Sequence, residues 1–409
     1  MEKDPIIIAG AGPVGVTLAE ILSSKGIPVL LFEKNDVPNR EWRASTFHAG
    51  TLELLEETGL VEELIQRGLK ADKVQYRDRK NGLFAEFDFA MLKDETKYPY
   101  RLQCSQATYV EVVFERLRKR PLVDIRFESE VVDFIQDDNG VTVIVKTPKG
   151  KETYRTPYLL GTDGGRSTIR KKLGVTFEGY THEERWMLVG TTRPFDQYIS
   201  DLAYVNYIAD PKEFLFILRV PDAWRILFPV PPHVKDEDAL NEDTIQRTMQ
   251  EALNTKDYFP IVENTIYKIH QRVAGKFYEN RVVLVGDAAH LNSPMGGLGL
   301  NSGIHDAVDL SKRMIRIWER TTNAKDELDM YSTVRRKVAI NYVKEISEKN
   351  TSTLKEENQE QRAKLQKDMA DLANDPIRAK QWMLRSAMIA SVREQGIGEP
   401  PSRQTSFQS

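Results

Sequence analysis

The stretch VVLVGDAAHLNSPMGGLGLNSGIHD, residues 282–306, decides the fold of this 409-residue chain. Its first four residues, Val282 to Val285, form an apolar run that reads as a short buried strand. Gly286 and Asp287 interrupt it, a loop rich in Pro and Gly follows, and Leu300-Asn301 opens a run with helical spacing. Strand, phosphate-sized turn and helix N-terminus in that order make an anion site, because the first turn of a helix carries N–H groups with no intrahelical partner. A second Gly-rich turn lies far away in the chain at residues 10–15, and one extended ligand can reach both.

That earlier turn, GAGPVG, follows the apolar run of residues 5–9 and precedes helical spacing over residues 16–24 that stops at Gly26. Residues 28–32 form the next strand, which ends on Glu33 and Lys34, roughly 20 residues past the glycines as a dinucleotide fingerprint requires. In that fingerprint Gly10 makes the tight turn, Gly12 lets the backbone approach a pyrophosphate, and Gly15 brings the helix close to the strand; Pro13 and Val14 complete the turn. Glu33 is expected to accept hydrogen bonds from ribose hydroxyls. An acid there disfavours a 2′-phosphate, so the nucleotide is FAD or NAD rather than NADP.

YLLGTDGG, residues 158–165, repeats the theme of apolar strand, then acid and glycine. Asp163 is either a helix N-cap or part of a ligand-binding turn, and two such turns in one chain favour the second. Arg43 precedes the helical run that carries Leu52, Leu54 and Leu55, and is either a pyrophosphate contact or a solvated arginine. His48 either lines a pocket or is a satisfied core histidine. Residues 74–89 read as paired strands turning at Asn81-Gly82, residues 108–118 as a helix preceded by Gln106, and residues 131–134 with 141–146 as a hairpin around Gly140.

From residue 177 to residue 277 the texture is β-rich and lacks dinucleotide turns. Residues 202–208, 214–220 and 223–230 read as strands, and residues 243–253 as a helix. This is expected to be an inserted antiparallel sheet whose inner face covers a pocket, with Tyr204, Tyr207, Phe216, Arg219, Arg225, Phe228 and the loop residue Pro294 as candidate substrate-binding residues. Alternation puts Phe214, Phe216 and Leu218 on one face and Leu215, Ile217 and Arg219 on the other. Helices are expected over 304–318, 330–345 and 382–392, with the charged segment 350–372 a solvated helix or hairpin.

The net charge of −3 arises from 58 basic and 61 acidic residues spread along the chain, which gives no electrostatic footprint for nucleic acid. The single cysteine, Cys104, excludes an internal disulfide and a multi-cysteine metal site; no metal is expected, and a reducing, cytoplasmic setting fits best. Glu20 interrupts the apolar segment 6–22, which argues against a membrane span. The expected assembly is a monomer or homodimer.

Taken in order, GAGPVG with Glu33, LLGTDGGRSTIRKKLGV, and VVLVGDAAHLNSPMGGLGLNSGIHDA resemble the single-component FAD-dependent aromatic hydroxylases of the p-hydroxybenzoate hydroxylase type, over roughly residues 5–336. The resemblance implies an α/β fold: a Rossmann-like FAD-binding domain in two parts (residues 1–176 and 278–345) and an inserted antiparallel-sheet substrate domain (177–277); the residue pattern adds C-terminal helices (346–397) and, from its polar composition, a disordered tail (398–409). It further implies that Gly10, Gly12, Pro13, Val14, Gly15, Glu33, Lys34 and Val131 surround the ADP half of FAD. Arg43 and Gln106 would contact FAD, and Asp163 would belong to a turn shared with nicotinamide binding. Gly286 and Asp287 would meet the ribityl chain, while Pro294, Gly297, Gly299, Leu300 and Asn301 would border the isoalloxazine. Leu298 departs from the glutamine of many relatives.

The implied activity is NAD(P)H-dependent hydroxylation of a small aromatic substrate, phenolic or heteroaromatic, with O2 as co-substrate and a C4a-hydroperoxyflavin as the oxygen donor. Its catalytic acid or base is not identified; His48, Tyr204 and Tyr207 are the candidates. The alternative is an FAD-dependent reductase or dehydrogenase on the same fold that uses no oxygen.

Overall fold

The computed structural model describes residues 4–38, 44–210, 214–344, 356 and 358–400. At its centre is a six-stranded sheet whose spatial order is Tyr278–Glu279, Val282–Leu284, Leu159–Gly161, Ile6–Ala9, Val29–Phe32 and Val123–Arg126. The last five strands run parallel, with Leu160 opposite both Ile8 and Val283, and Leu31 opposite Ile8 on its other side. Ile6, Ile7, Ile8 and Ala9 are all buried, which explains a continuous apolar run in place of alternation: helices cover both faces of such a sheet. The helix Pro13–Ser24 starts just past the C-terminal end of strand Ile6–Ala9, and the helix Leu298–Trp318 passes the end of strand Val282–Leu284 at Gly303 and Asp306. An open parallel sheet binds its ligands at that end.

Residues 177–277 contribute most of an eight-stranded sheet, ordered His290–Leu291, Ile261–Ala274, Phe177–Thr191, Ala223–Val230, Leu215–Val220, Val205–Ala209, Lys73–Asp78 and Gly82–Asp88. The sheet is antiparallel except where Asn206 pairs with Gln75 in a parallel ladder. The hairpin read at residues 74–89 therefore belongs to this sheet, and so does the short strand that follows Gly286-Asp287. Strand alternation gives the sheet two dissimilar faces. Tyr207, Phe216, Leu218 and Leu227 face inward and join the main core. Ile208, Leu215, Ile217, Trp224, Ile226 and Phe228 face outward into a second core, sealed by Ile245, Met249 and Leu253 of the helix Glu242–Leu253.

Smaller elements complete the scaffold. The hairpin around Gly140 gains a third strand, Gly150–Thr156, which the sequence reading missed. Thr46–Phe47, Arg101–Gln103 and Leu69–Ala71 form a compact sheet, with Gln103 opposite Thr46. The helix expected over 330–345 starts earlier, at Ala324, and passes from α to π geometry after Val338. The helix expected over 382–392 is instead two, Pro376–Ser386 and Ile389–Glu394, broken at Met388 with φ +59°. That corner docks on the helix Ala49–Glu56, where Gly50 N–H donates to Ala387 O at 3.0 Å. In the charged segment, the helix Gln359–Asn374 has no buried residue, yet Gln366 Nε2 donates to Asp78 Oδ2 at 2.8 Å. Among the described residues no helix is long and apolar enough to cross a membrane, and no cluster of candidate metal ligands is present. Residues 401–409 of the expected tail lie outside the described residues, whereas Gly398 N–H is held by Asp309 at 2.5 Å.

Candidate functional site

At the end of strand Ile6–Ala9, Gly10 turns the chain with φ +105°, and its N–H donates to Phe32 O at 2.8 Å. A Cβ on Gly15 would lie 2.0 Å from Gly10 O, so the helix reaches the strand only because that atom is absent. A Cβ on Gly12 would meet nothing within 4 Å. Gly12 caps the helix Pro13–Ser24 without any side-chain acceptor, and Pro13 occupies its first turn. The first-turn N–H groups of that helix thus have no side-chain acceptor, and the space beside Gly12 is open, which suits an anion.

Glu33 is buried at the tip of the adjacent strand, but its carboxylate also serves the protein itself. Oε2 accepts from Ala11 N at 2.9 Å, and Oε1 accepts from Asn35 N and Nδ2 at 3.0 and 2.8 Å. Oε2 keeps a second lone pair for a ribose hydroxyl. Lys34 beside it is exposed, and Val131 is buried opposite Val145. Gln106 opens the helix Gln106–Leu117, where Ser105 Oγ accepts from Thr108 N at 3.0 Å. Arg43 lies outside the described residues.

The two acid–glycine turns meet this first turn. Thr162 Oγ1 donates to Gly10 O at 2.7 Å. Asp163 does cap a helix, since Oδ2 accepts from Thr168 N and Ile169 N at 2.7 and 3.1 Å. Its Oδ1, however, is buried with no partner, which capping alone leaves unexplained. Arg170 links this turn to the next by donating to Gly165 O and Ala288 O, each at 2.8 Å. Gly286 has φ +60°, and a Cβ there would lie 2.7 Å from Val14 Cγ2.

Asp306 holds that last turn from below. Its Oδ2 accepts from Gly286 N at 3.1 Å and from His290 Nε2 at 2.7 Å, while Oδ1 accepts from Arg335 Nε at 2.6 Å. Burial pushes the Asp306 carboxyl up, but Arg335 and His290 outweigh it and hold the group below its usual range. Asp287, the next residue after Gly286, is exposed at the rim.

The loop from Pro294 closes with Gly297 N–H on Pro294 O at 2.9 Å, and Gly297, at φ +67°, starts the helix Leu298–Trp318 without a side-chain cap. Gly299 and Leu300 lie partly buried in its first turn. The Asn301 side chain is fully used within the protein. Its Nδ2 donates to Thr46 O and Gly297 O at 2.8 and 2.6 Å, and its Oδ1 accepts from His48 N and Thr51 Oγ1 at 2.9 and 2.6 Å.

Two histidine tautomers follow from this network. His48 Nε2 lies 2.8 Å from Gly296 O, a group that only accepts, so Nε2 carries the proton and buried Nδ1 keeps a lone pair with no partner. Thr51 spends its hydrogen on Asn301, so His305 Nε2 donates to Thr51 Oγ1 at 2.9 Å. Burial, aided by Arg101, pushes His48 well below the usual histidine range; burial, aided by Arg335, pushes His305 down to about 3. Both rings are neutral at pH 7.

The sheet candidates divide between its two faces. Tyr207 and Phe216 lie on the inner face, stacked at 4.7 Å, and Tyr207 also stacks on Tyr76 at 5.0 Å. Arg225 shares that face but is paired with Glu263 at 2.5 Å and is 0% exposed. Burial pushes that guanidinium down and the Glu263 carboxyl up, and their mutual attraction opposes both shifts. The structure does not bring Tyr204, Arg219 and Phe228 to the inner face. Tyr204 is exposed against Trp224, Arg219 lies over the same Trp224 ring, and Phe228 belongs to the outer core.

Four inner-face neighbours were missed by the sequence reading: Tyr76, Phe87, Arg101 and Trp382. Trp382, from the C-terminal helices, stacks on Phe87 at 4.1 Å and meets Tyr76 edge-on. A detectable signal existed for Arg101, a charge between the apolar Tyr100 and Leu102. Cys104 is buried, and burial raises its thiol to about 12, so it presents no thiolate.

Comparison with known proteins agrees with this arrangement. The sequence profile of a family described as an FAD binding domain matches residues 3–346. A para-nitrophenol 4-monooxygenase of Pseudomonas sp. strain WBC-3 is 32% identical over 391 residues, covering 93% of this chain and 94% of its own. The 6-hydroxy-3-succinoylpyridine 3-monooxygenase HspB of Pseudomonas putida strain DSM 28022 / S16 is 28% identical over 342 residues, covering 83% and 86%. The crystal structure of p-nitrophenol 4-monooxygenase PnpA from Pseudomonas putida DLL-E4 matches with a TM-score of 0.88 at 30% identity, covering 95% of this chain and 99% of that one.

Proposed function

The chain belongs to the FAD-binding family of aromatic hydroxylases, of the p-hydroxybenzoate hydroxylase type, and is an FAD-dependent monooxygenase; we propose that it hydroxylates a small phenolic or heteroaromatic compound with NADH or NADPH as electron donor. Bound and reduced, FAD supplies the oxygen-activating ring that delivers one atom of O2 to the substrate. Gly10, Gly12, Pro13, Val14, Gly15 and Glu33 would hold its ADP half, with Gln106 and Arg43 at the pyrophosphate and Asp163 and Asp287 along the turns that follow. Pro294, Gly297, Gly299, Leu300 and Asn301 would border the ring. The uncapped N-terminus of Leu298–Trp318 would stabilise negative charge there through its free N–H groups and dipole.

Tyr207 and Phe216 would wall the substrate pocket from the inner face of the sheet, and Trp382 would help exclude water from it. The relatives named for a nitrophenol and a hydroxylated pyridine support a small, oxygen-bearing ring. The observation that carries the reading is the meeting of three glycine turns, two of them with an acid, and two uncapped helix starts beneath an aromatic sheet face. A cytoplasmic monomer or homodimer is part of the same proposal.

The test is a panel of phenols, hydroxybenzoates and hydroxypyridines, scored for stimulated NADH and NADPH oxidation, with product mass determined under 18O2. The expected result is stimulation by one substrate class and a product that carries a single labelled oxygen. Turnover that continues without oxygen, and leaves an unlabelled reduced product, would establish the reductase reading instead.

A further inference from the structure

Arg101 is 3% exposed, belongs to no ion pair among the described residues, and is incompletely hydrogen-bonded, whereas Arg225 on the same side has Glu263 as counter-ion. Nη1 reaches Tyr207 Oη at only 3.5 Å, Nη2 reaches Ser386 Oγ at 3.3 Å, and Nε has no partner. Its guanidinium carbon lies 5.7 Å from the centroid of the Phe89 ring. Arginine stays protonated inside proteins, and a desolvated charge without a counter-ion is costly unless a ligand completes it.

Its surroundings are equally unfinished. Strand alternation puts Gln103 on the same face, and Gln103 Nε2 is buried without a partner, as is His48 Nδ1. His48 in turn holds the Gly296 carbonyl, so this unsatisfied group adjoins the loop assigned above to the isoalloxazine. Tyr207 Oη accepts from Arg101, and its own hydrogen has no acceptor among the described residues.

We propose that Arg101, together with the Tyr207 hydroxyl, is the anion-binding element of the substrate pocket and takes the substrate as an aromatic oxyanion, with the charge on a single ring oxygen. This deepens the aromatic-hydroxylase reading and rests on it. Nε–H and the Tyr207 O–H are donors left without an acceptor, and the relatives named for a nitrophenol and a hydroxylated pyridine favour a single ring oxygen over a carboxylate as the group that completes them. The aromatic part has its place beside Tyr207 and Phe216. The ligand's proton is lost to water, so the ring enters in its electron-rich form. Arg101 thereby selects the ionisation state that an electrophilic oxygen transfer needs.

The experiment uses the FAD-loaded enzyme and follows the flavin absorbance change on titration with three probes: a halogenated phenol that ionises near neutrality, its methyl ether, and the matching benzoate. Wild type is expected to bind the phenol more tightly as pH rises through that phenol's own pKa, and to bind the ether with no pH dependence. In Arg101→Met, phenol affinity should fall about 10- to 100-fold, the range for a lost charged hydrogen bond, with the pH dependence abolished and ether affinity and FAD content unchanged. Arg101→Lys should recover part of the loss. Tyr207→Phe, which keeps the buried ring, should weaken the phenol and spare the ether, and it provides the test if Arg101→Met does not fold. Equal losses for phenol and ether, an unchanged pH profile in Arg101→Met, or tighter binding of the benzoate than of the phenol would overturn the assignment. Failure of wild type to bind any aromatic compound would overturn the function proposed above, and this inference with it.

Discussion

Gly12→Ala separates the cofactor role of the first turn from its structural role. The Gly12 backbone, at φ −71° and ψ −178°, suits any L-residue, and the new methyl would meet nothing within 4 Å. In the FAD-free protein two small effects oppose each other. Replacing Gly at an N-cap by Ala costs some fraction of about 1 kcal/mol, and the stiffer unfolded chain returns about 0.4–1 kcal/mol. Apoprotein stability should therefore change by less than about 1 kcal/mol, or a few degrees in melting temperature.

FAD binding has no such compensation. In the proposed site the methyl group would occupy the space through which a pyrophosphate would reach the N–H groups of the first turn, and losing one such charged contact, at about 1.5–3 kcal/mol, should raise Kd roughly 10- to 100-fold. Gly15→Ala is the contrasting variant, because its Cβ would lie 2.0 Å from Gly10 O and strain the fold itself. The assay is flavin fluorescence quenching on titration of apoprotein, with thermal melting in parallel. Unchanged FAD affinity in Gly12→Ala, or an apoprotein melt lowered as far as that of Gly15→Ala, would refute the assignment.

Asp306→Ala leaves Arg335 buried and uncompensated, and should destabilise the protein by about 3–5 kcal/mol in denaturant titration; Asp306→Asn, which keeps one acceptor, should cost less. Acid should unfold the chain from below neutrality. His48 and His305 have folded pKa values lowered from the usual 6.5, so the unfolded state binds more protons in that window. Their contribution is fully present above about pH 7 and is lost as pH falls from about 6.5 towards the lowered values, by up to about 1.4 kcal/mol per pH unit for each ring. Stability that is flat between about pH 7 and about pH 5 in chemical denaturation would contradict the neutral-histidine network.

What the sequence discloses depends on how local the determining physics is. The turns at Gly10, Asp163 and Gly286 are legible because each is a short apolar strand broken by residues that only a tight, phosphate-sized turn requires. Alternation likewise separates Phe216 from Arg219. It does not say which face looks inward, and so Tyr204, Arg219 and Phe228 are grouped in sequence with Tyr207 although the fold separates them. Arg225 looks like a ligand anchor until Glu263, far along the chain, arrives beside it across the Phe177–Thr191 strand. Trp382 shows only as a return of apolar residues, since its partner Phe87 comes from the other end of the chain. Arg101 carries its signal in one strand, but its meaning depends on Tyr207, Ser386 and His48 from three other elements.

The parallel pairing of Asn206 with Gln75 limits how this enzyme can be recombined. A chimera that exchanges only residues 177–277 with a relative would leave behind the Lys73–Asp88 part of the sheet, the Tyr76 ring stacked on Tyr207, and the Phe87–Trp382 contact. The sheet is thus discontinuous in the gene. A crossover that respects it must carry three separate pieces, the hairpin, the long insert and the C-terminal helices, or the grafted sheet ends on an unmatched edge.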